Sequence, residues 1–351
     1  NPEVRTLIFT SDNAFGVAPE ILEAISRANE GAAVSYGGDD ITKRLQGAFA
    51  GIFEHEVAVF PVATGTAANA LALATLTPPF GAILCHEHAH VNADECGAPE
   101  MFTGGAKLVG LSGAAGKIDP QALEAALAAL PAGNVHNVQP STLTLTQSTE
   151  SGTVYSIEEL KVLTGLARAR GLAVHMDGAR FANALVTLGC TPAEMTWKAG
   201  VDALSFGATK NGALAAEAVV FFDPARATEF GFRRKRSGHL FSKMRFLSAQ
   251  LEAYVTDALW LRNARHANAM AKRMAEGLAL VNSARLQAPV EANEIFVRLP
   301  RELLKRLRDA GAGFHPWPME GDDADNRTIR LVTSFATQAE DIDRFLQVAG
   351  G

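Results

Sequence analysis

Short apolar stretches alternate with amphipathic helical patterns from about residue 56 to residue 222. Apolar stretches of this length, rich in β-branched residues, are typical of buried strands, and the longer segments between them have helical periodicity. Strands that alternate with helices predict an α/β fold with a mostly parallel central sheet between two layers of helices. The predicted strands are EVAVFPVA, GAILC, STLTLTQ, LAVHMD, VDALSFG and EAVVFFD, and the predicted helices are GTAANALALATL, PQALEAALAAL, SIEELKVLTGLARARG and RFANALVTLG.

Two of these helices carry clear end signals. Asp119 precedes Pro120, which predicts an N-cap followed by proline in the first helical position. Ser156 and Glu159 form the S-x-x-E pattern of a capping box, and Gly171 is placed to end that helix.

The pattern changes after about residue 240. Residues 250–280 read as one continuous helix, and a strand, a helix, a strand and a last helix follow it. We therefore predict two domains: an N-terminal arm with a large domain over residues 1–250, and a smaller C-terminal α+β domain over residues 251–351. The first 50 residues are expected to contain the arm and one helix.

The composition of the chain argues against two classes of binding partner, nucleic acids and membranes. The 351 residues carry a net charge of −6, which argues against a nucleic-acid partner, because such proteins present a basic face. No apolar run approaches the roughly 18 residues that cross a bilayer, so no membrane partner is expected. The N-terminus has no signal-peptide pattern, and three cysteines are too few for a disulfide framework. We expect a cytoplasmic protein.

The stretch CHEHAHVNADECG contains the H-E-x-x-H pattern of zinc proteases in His86, Glu87 and His90. That pattern binds zinc only on a helix, whereas here a predicted strand runs directly into it. If the segment is extended, His86, His88 and His90 share one face and a three-histidine metal site is conceivable. A third interpretation places one histidine against a cofactor, and the fourth is that these are ordinary surface histidines.

Three further features favour the cofactor. In VATGTAANALAL a strand enters the turn Thr64-Gly65-Thr66, which opens a helix and can therefore bind a phosphate group. The strand LAVHMD ends on Asp177, a carboxylate that could pair with a protonated pyridine nitrogen, and Arg180 follows three residues later.

The third feature is Lys210, in the turn after the strand VDALSFG. It lies 210 − 177 = 33 residues beyond Asp177, enough for one helix and the next strand, so both side chains are expected at the same sheet edge. A lysine in a partly desolvated cleft can form a Schiff base. A phosphate turn, a strand-end Asp and a strand-end Lys, in this order, are what pyridoxal phosphate chemistry requires.

With these motifs the sequence resembles the low-specificity L-threonine aldolases, of the aspartate-aminotransferase-like fold type I of pyridoxal phosphate enzymes. It looks most similar to the bacterial branch that cleaves both threonine and phenylserine. The resemblance extends over nearly the whole chain through FTSDNAFG, VATGTAANALALA, HAHVNADECGAPE, TQSTESGTVY, HMDGARFANA, GATKNG, SKMRFLSA and IRLVTSF.

The resemblance implies a role for each matching residue. Lys210 would carry the cofactor as a Schiff base, Asp177 would pair with the pyridine nitrogen, and His90 would stack on the ring. The resemblance gives the phosphate and ring contacts to Gly65, Thr66, Thr209 and Arg180, and the contacts with the amino-acid substrate to Ser11, Arg180, Arg330, His88 and Tyr36. No metal is expected.

Two departures from the family pattern leave roles open. Glu150 stands where many members have a histidine that has been proposed to act on the substrate hydroxyl; Glu150, His90 or a water could be the base. The stretch RRKRSGHLFSKMR has a single glycine where the family has a pair. That region reaches the neighbouring subunit's phosphate in the family, which makes Arg236 and Lys243 candidates for such a contact.

The implied reaction is retro-aldol cleavage of L-threonine, L-allo-threonine and related β-hydroxy-α-amino acids to glycine and an aldehyde. The alternative on the same fold is β-elimination, transamination or hydroxymethyl transfer. A zinc hydrolase and a non-enzymatic binding module are the competing classes. The resemblance also implies a homo-oligomer, expected to be a tetramer built as a dimer of dimers.

Overall fold

The computed structural model describes residues 6–351, which form thirteen strands in three sheets. The strands are β1 Leu7–Ile8, β2 Ala58–Val62, β3 Gly81–His86, β4 Lys107–Leu111, β5 Gln139–Thr146, β6 Ala173–Gly178, β7 Ala203–Gly207, β8 Glu217–Phe221, β9 Arg285–Leu286, β10 Glu294–Pro300, β11 Ala312–Gly313, β12 His315–Pro316 and β13 Asn326–Val332.

Fourteen α-helices lie within residues 6–351, and none of them is long and apolar enough to cross a membrane. The helices are α1 Pro19–Ala28, α2 Asp40–Phe53, α3 Gly65–Leu76, α4 His90–Ala93, α5 Ala98–Thr103, α6 Pro120–Ala129, α7 Ile157–Ala169, α8 Phe181–Leu188, α9 Pro192–Met195, α10 Phe230–Arg236, α11 Arg245–Val255, α12 Leu259–Ala279, α13 Arg301–Asp309 and α14 Ala339–Gly350.

The large sheet has seven strands in the order β2-β8-β7-β6-β5-β3-β4. Six run parallel to one another, and β8 alone is antiparallel to its neighbours β2 and β7. Strands β3, β6, β7 and β8 are buried along their whole length, as expected of strands covered on both faces. The predicted α/β class with a mostly parallel central sheet is confirmed.

The predicted helix ends are also confirmed. Asp119 accepts a hydrogen bond from the Gln121 backbone N–H at the start of α6. Ser156 and Glu159 form the capping box of α7, and Gly171 follows that helix with φ +73°, a conformation that glycine adopts at low cost.

Three other predictions on secondary structure are wrong or incomplete. Residues 250–280 are not one helix: α11 ends at Val255, and a tight turn, Thr256–Ala258, separates it from α12. Asp257 and Ala258 have φ values of +49° and +55°, which interrupt the helical hydrogen bonding. The first 50 residues hold the whole of α1 and most of α2 instead of one helix, and the edge strand β4 was not predicted.

Two hydrophobic clusters hold most of the core. The larger surrounds the seven-stranded sheet, and the smaller lies between β10, β13 and the helices α12, α13 and α14. The N-terminal segment belongs to the smaller cluster: Leu7 and Phe9 are fully buried there, and Phe9 packs edge-on against Phe345 at 5.4 Å. Helix α12 contributes to both, with Trp260 in the larger cluster and Met274 in the smaller.

Candidate active site

A cavity of about 510 Å³ opens where β2, β5, β6 and β7 end. This is the carboxyl edge of the parallel strands, where α/β proteins place their ligands. The cavity is lined by Asn13, Ala63, Thr64, Gly65, Thr66, Ala68, Asn69, His90, Glu95, Thr146, Ser148, Glu150, Asp177, Ala179, Arg180, Ser205, Gly207, Thr209, Lys210, Ala215 and Glu217.

One end of the cavity is the turn between β2 and α3. Thr64 caps the helix, and its hydroxyl accepts a hydrogen bond from the Ala67 N–H at 3.1 Å. Gly65 and Thr66 are the first two residues of α3, where backbone N–H groups have no partner within the helix. A Cβ added to Gly65 would meet no atom within 4 Å, so there is open space beside the helix end. This end can accept an anionic group.

Asp177 lines the cavity near the end of β6. It is 3% exposed, and both carboxylate oxygens accept hydrogen bonds, Oδ1 from the Ala179 N–H at 3.0 Å and Oδ2 from the Asn69 side chain at 2.8 Å. These two hydrogen bonds hold the carboxylate in one orientation. Asp177 lies on β6, and its neighbour β7 is the strand that leads to Lys210.

Lys210 projects from a tight turn, Thr209–Asn211, that follows β7. The turn is anchored by Asn211, whose amide donates to the Tyr254 hydroxyl at 2.8 Å and to the Trp260 carbonyl at 2.9 Å. Gly212 closes the turn with φ +120°, a conformation that L side chains rarely adopt. Lys210 and Asp177 thus line one cavity, as the 33-residue spacing predicted.

His90 begins α4 beside the same cavity. Its Nδ1 lies 2.7 Å from Glu95 Oε1, and its side chain is 40% exposed. The hydrogen bond with Glu95 raises the pKa of His90 above its ordinary value, although burial acts in the opposite direction.

The three histidines of the HEHAH stretch do not converge. His86 ends β3, with Nε2 3.0 Å from the Gly113 carbonyl oxygen, and its Nδ1 accepts a hydrogen bond from the His88 N–H at 3.1 Å. His88 is exposed, and His90 begins a separate helix. Across residues 6–351, no group of three His, Cys, Asp or Glu side chains is placed to hold a metal ion. The H-E-x-x-H residues are not on one helix, so the zinc-protease geometry is absent from this segment.

Glu150 is a half-buried residue on the same side of the cavity as His90. Its Oε1 accepts hydrogen bonds from the His90 backbone N–H at 2.8 Å and from the Thr146 hydroxyl at 2.9 Å. Its Oε2 is buried and, among the described residues, has no hydrogen-bond partner. Burial, together with the negative charge of Asp177, raises the pKa of Glu150 to about 7.

Glu217 is a second buried carboxyl group, and the sequence reasoning missed it. As the first residue of β8 it pairs with Val62 at the end of β2 and with Gly207 at the end of β7. It therefore lies between the two turns that carry Gly65 and Lys210. Its Oε2 accepts a hydrogen bond from the Ala208 N–H at 2.8 Å, and burial raises its pKa to about 7.

Arg180 lines the cavity, but its guanidinium is already paired. It donates to Asp12 through Nε at 2.8 Å and Nη2 at 3.1 Å, and its Nη1 lies 3.0 Å from Glu294 Oε2. Burial alone would lower the pKa of Arg180, but these two carboxylates raise it above its ordinary value. Arg180 is therefore held as a cation.

Four predicted substrate residues are not among those that line the cavity. Ser11 caps a short turn, and its hydroxyl accepts a hydrogen bond from the N–H of Asn13, which does line the cavity. Arg330 stacks over the Trp317 ring at 4.8 Å, and its Nη1 lies 3.7 Å from Glu294 Oε1.

The other two, His88 and Tyr36, lie on the surface. Tyr36 is 51% exposed, and the Lys235 ammonium lies 4.8 Å from its ring centre. His88 lies between the end of β3 and the start of α4, and its ring centre is 5.6 Å from that of His86. Neither side chain lines this cavity in its own chain, and their contacts with substrate stay a prediction.

The arrangement fits pyridoxal phosphate. The helix end at Gly65 and Thr66 can bind the phosphate, Asp177 can face the pyridine nitrogen, and Lys210 can reach the aldehyde carbon. The Ser148 hydroxyl is buried in the cavity and has no hydrogen-bond partner among the described residues, which leaves it available to a polar group of the cofactor.

A second cavity, of about 500 Å³, lies between α1, α2 and α11. Its arginines are paired with glutamates: Arg44 with Glu252 at 2.7 Å and Arg262 with Glu20 at 3.5 Å. It shares no lining residue with the cavity that contains Lys210 and Asp177.

Comparisons with known proteins identify a matching family and similar proteins over most of the chain. Residues 9–301 match the sequence profile of the family described as Beta-eliminating lyase. A low specificity L-threonine aldolase from Pseudomonas aeruginosa is 43% identical over 345 residues, which cover 98% of this chain and 96% of that protein. A second, from Pseudomonas sp. strain NCIMB 10558, is 44% identical over 307 residues, covering 88% of each chain.

The structural comparison agrees. A threonine aldolase from Leishmania major superposes with a TM-score of 0.90 at 27% identity, covering 97% of this chain and 98% of that one. A serine palmitoyltransferase from Sphingomonas wittichii superposes with a TM-score of 0.68 at 15% identity, covering 98% of this chain and 86% of that one, and so shares the fold.

Proposed function

Because the chain belongs to the beta-eliminating lyase family, we propose that it is a pyridoxal-phosphate-dependent aldolase. Its substrates would be L-threonine, L-allo-threonine and related β-hydroxy-α-amino acids such as phenylserine, which it cleaves to glycine and an aldehyde. The observation that carries the proposal is the meeting of Lys210, Asp177 and the N-terminus of α3 in one cavity. The names of the Pseudomonas relatives support this choice of substrate.

When bound, pyridoxal phosphate supplies an aldehyde carbon that condenses with amines and a protonated ring that accepts the electrons of a broken Cα–Cβ bond. Lys210 presents the amine that holds it. Asp177, fixed by two hydrogen bonds, would keep the pyridine nitrogen protonated. Gly65, Thr66 and Thr209 would hold the phosphate, and His90 would stack on the ring.

Glu150 is the residue that we propose as base for the substrate hydroxyl. It lines the cavity, one oxygen is held by two donors, and the other is buried without a partner. A carboxyl group with a pKa of about 7 can accept a proton in its ionised form and return it near neutral pH. His90, whose Nδ1 pairs with Glu95, is the other candidate for the base.

Arg180, Arg330 and Ser11 are proposed to bind the substrate carboxylate. Glu294 lies between the two guanidiniums, 3.0 Å from Arg180 and 3.7 Å from Arg330, so it links Arg330 to the arginine that lines the cavity. Fixing the carboxylate sets which bond at Cα stands perpendicular to the cofactor ring, and that bond breaks most easily. A role for Tyr36 would require the cavity of a second copy of the chain, since Tyr36 lies outside its own.

We also propose a homo-oligomer, a tetramer built from two dimers. The phosphate end of the cavity is lined by neutral residues and by Glu217, so a cation from a second copy would balance the cofactor's charge there. Arg236 and Lys243 are exposed and available for this contact. Cys85, Cys96 and Cys190 are unpaired, which supports a reducing, cytoplasmic location.

The division into residues 1–250 and 251–351 stays a proposal. The two hydrophobic clusters support it, although Leu7 and Phe9 pack with the second part and α12 contributes to both clusters.

Product analysis tests the proposed function. The purified protein, loaded with pyridoxal phosphate, is expected to convert threonine to glycine and acetaldehyde in equal amounts, and phenylserine to glycine and benzaldehyde. A keto acid or ammonia as the main product would instead indicate transamination or β-elimination and would overturn the aldolase assignment.

A further inference from the structure

Four side chains of the cavity form one line of hydrogen bonds. The Asn69 amide nitrogen donates to Asp177 Oδ2 at 2.8 Å and to Glu95 Oε1 at 2.8 Å. The same Glu95 oxygen lies 2.7 Å from His90 Nδ1. The line thus joins Asp177 on β6, Asn69 on α3, Glu95 in the turn after α4, and His90 at the start of α4.

The middle of this line is shielded from water. Asn69 is 2% exposed and the Glu95 side chain is fully buried, whereas His90 faces the cavity. Two buried carboxylates this close would repel each other, but both hydrogens of one amide group lie between them. Burial, followed by the charge of Asp177, raises the pKa of Glu95, and the hydrogen bonds from His90 and Asn69 oppose this.

Each end of the line meets a different part of the expected cofactor. Asp177 is placed for the pyridine nitrogen and His90 for the face of the ring. We propose that Glu95 and Asn69 are positioning residues: Glu95 orients the His90 ring against the cofactor, and Asn69 fixes the spacing between Glu95 and Asp177. The contacts of Asp177 and His90 with the cofactor are then positioned together by the same hydrogen bonds. This inference rests on the proposed function, because it takes pyridoxal phosphate as the ligand.

The first test measures His90 without the cofactor. The groups that face His90 are Glu95 and Asp177, which favour its protonated form, Lys210, which opposes it, and Glu150, which accepts its backbone N–H. Glu95→Gln keeps the size of the side chain and removes its charge. The pKa of His90, followed by NMR of its ring protons in cofactor-free protein, is expected to fall in this variant and to recover in Glu95→Asp.

The matched control is Glu252→Gln, the same chemical change in a residue that pairs with Arg44 away from the cavity. It is expected to leave the His90 titration unchanged. An unchanged titration in Glu95→Gln as well would overturn the assignment of Glu95.

The second test measures pyridoxal phosphate affinity by fluorescence titration. Losing a hydrogen bond to a charged group at such a site costs about ten-fold in affinity, so Glu95→Gln and Asn69→Ala should each weaken binding about ten-fold. Since Glu95 and Asn69 act through the same line of hydrogen bonds, the double variant is expected to lose less affinity than the product of the two single losses. Independent, merely structural effects would multiply and would overturn the proposal.

The outcomes separate this inference from the proposed function. If the unsubstituted protein binds no pyridoxal phosphate, the proposed function fails, and the inferred cofactor contacts fail with it, while the His90 titration still reports the pairing with Glu95. If it binds the cofactor and cleaves threonine but the variants bind it equally well, only the positioning roles fail. Thermal unfolding of each variant identifies misfolded protein, and Glu95→Asp then serves as the interpretable substitution.

Discussion

Arg180 and Asp12 form a two-pronged ion pair in the wall of the candidate active site. Nε and Nη2 of the guanidinium donate to the two oxygens of the carboxylate at 2.8 and 3.1 Å, and Asn293 donates to Asp12 Oδ2 at 3.0 Å. Burial by itself would raise the pKa of Asp12, but Arg180 lowers it below its ordinary value. The pair ties the N-terminal segment to the start of α8 and fixes the cation that lines the cavity.

Asp12→Asn is expected to lower the free energy of unfolding by about 3 kcal/mol, because it removes one charge from a buried pair. Asp12 and Arg180 side chains are only 1% and 11% exposed, so water cannot replace the lost partner. Arg273 and Asp343 provide a matched control, since they form the same two-pronged geometry at about half exposure. Asp343→Asn is expected to cost at most about 1 kcal/mol. Equal losses of unfolding free energy in the two variants, measured by urea denaturation, would show that burial does not determine how strongly the Asp12–Arg180 pair stabilises the protein.

Lys210→Ala is expected to abolish covalent attachment of pyridoxal phosphate and nearly all turnover. The reason is that Lys210 is the one lysine among the described residues that line the cavity, and its turn follows β7, the strand beside that of Asp177. Borohydride reduction followed by mass spectrometry measures the attachment. Lys198→Ala is the control, because Lys198 pairs with Glu54 on the surface. Cofactor fixed at another residue of the Lys210 variant would contradict the assignment.

Glu150→Gln is expected to lower kcat by about 10²- to 10⁴-fold, the usual contribution of a general base. With a pKa of about 7, Glu150 is ionised and able to accept a proton only above that pH. The kcat/KM of the unsubstituted protein should therefore rise with pH through about 7 and then level off, and the variant should lose this rise. Glu124→Gln, an exposed substitution on α6, serves as the control. A retained rise would assign the base to another group, such as His90.

Local patterns in the sequence predicted the large sheet well. Periodicity identified β2, β3, β5, β6, β7 and β8, and single residues such as Ser156 and Gly171 marked helix ends. The edge strand β4 was missed because most of it is exposed or half-buried. The break at Asp257 had no such signal, because neither glycine nor proline marks it and the left-handed backbone there depends on tertiary packing.

The residues of the candidate site also divide into those that sequence patterns could predict and those that they could not. Lys210 and Asp177 follow strands and could be paired by topology, whereas Asn69 and Glu95 come together only when α3 packs beside the turn after α4. Asn69 interrupts the apolar run of residues 67–74 in α3 and Glu217 opens an apolar strand, so polar residues in apolar runs were the available signal. The surface positions of His88 and Tyr36 depend on chain turns that periodicity does not report.

Glu217→Gln is expected to change how stability depends on pH. Burial raises the pKa of Glu217 from the ordinary 4.5 to about 7, so between these values the folded protein holds a proton that the unfolded chain releases. The contribution of Glu217 to stability is therefore complete below about pH 4.5 and is lost as pH rises through about 7. The difference between the two pKa values corresponds to about 3 kcal/mol.

The glutamine introduced by this substitution would stay neutral at every pH and could still accept the Ala208 N–H, so the variant has no such proton to lose. In cofactor-free protein, the free energy of unfolding of the variant should match that of the unsubstituted chain at about pH 4 and exceed it by up to about 3 kcal/mol at about pH 8. Glu302→Gln, an exposed change in the first turn of α13, should leave the pH dependence unaltered. Because Glu150 and the other carboxyl groups are the same in both proteins, the difference between the two curves isolates Glu217. Parallel curves would mean that Glu217 is ionised in the folded protein at neutral pH, held so by Lys210, which already acts to lower its pKa.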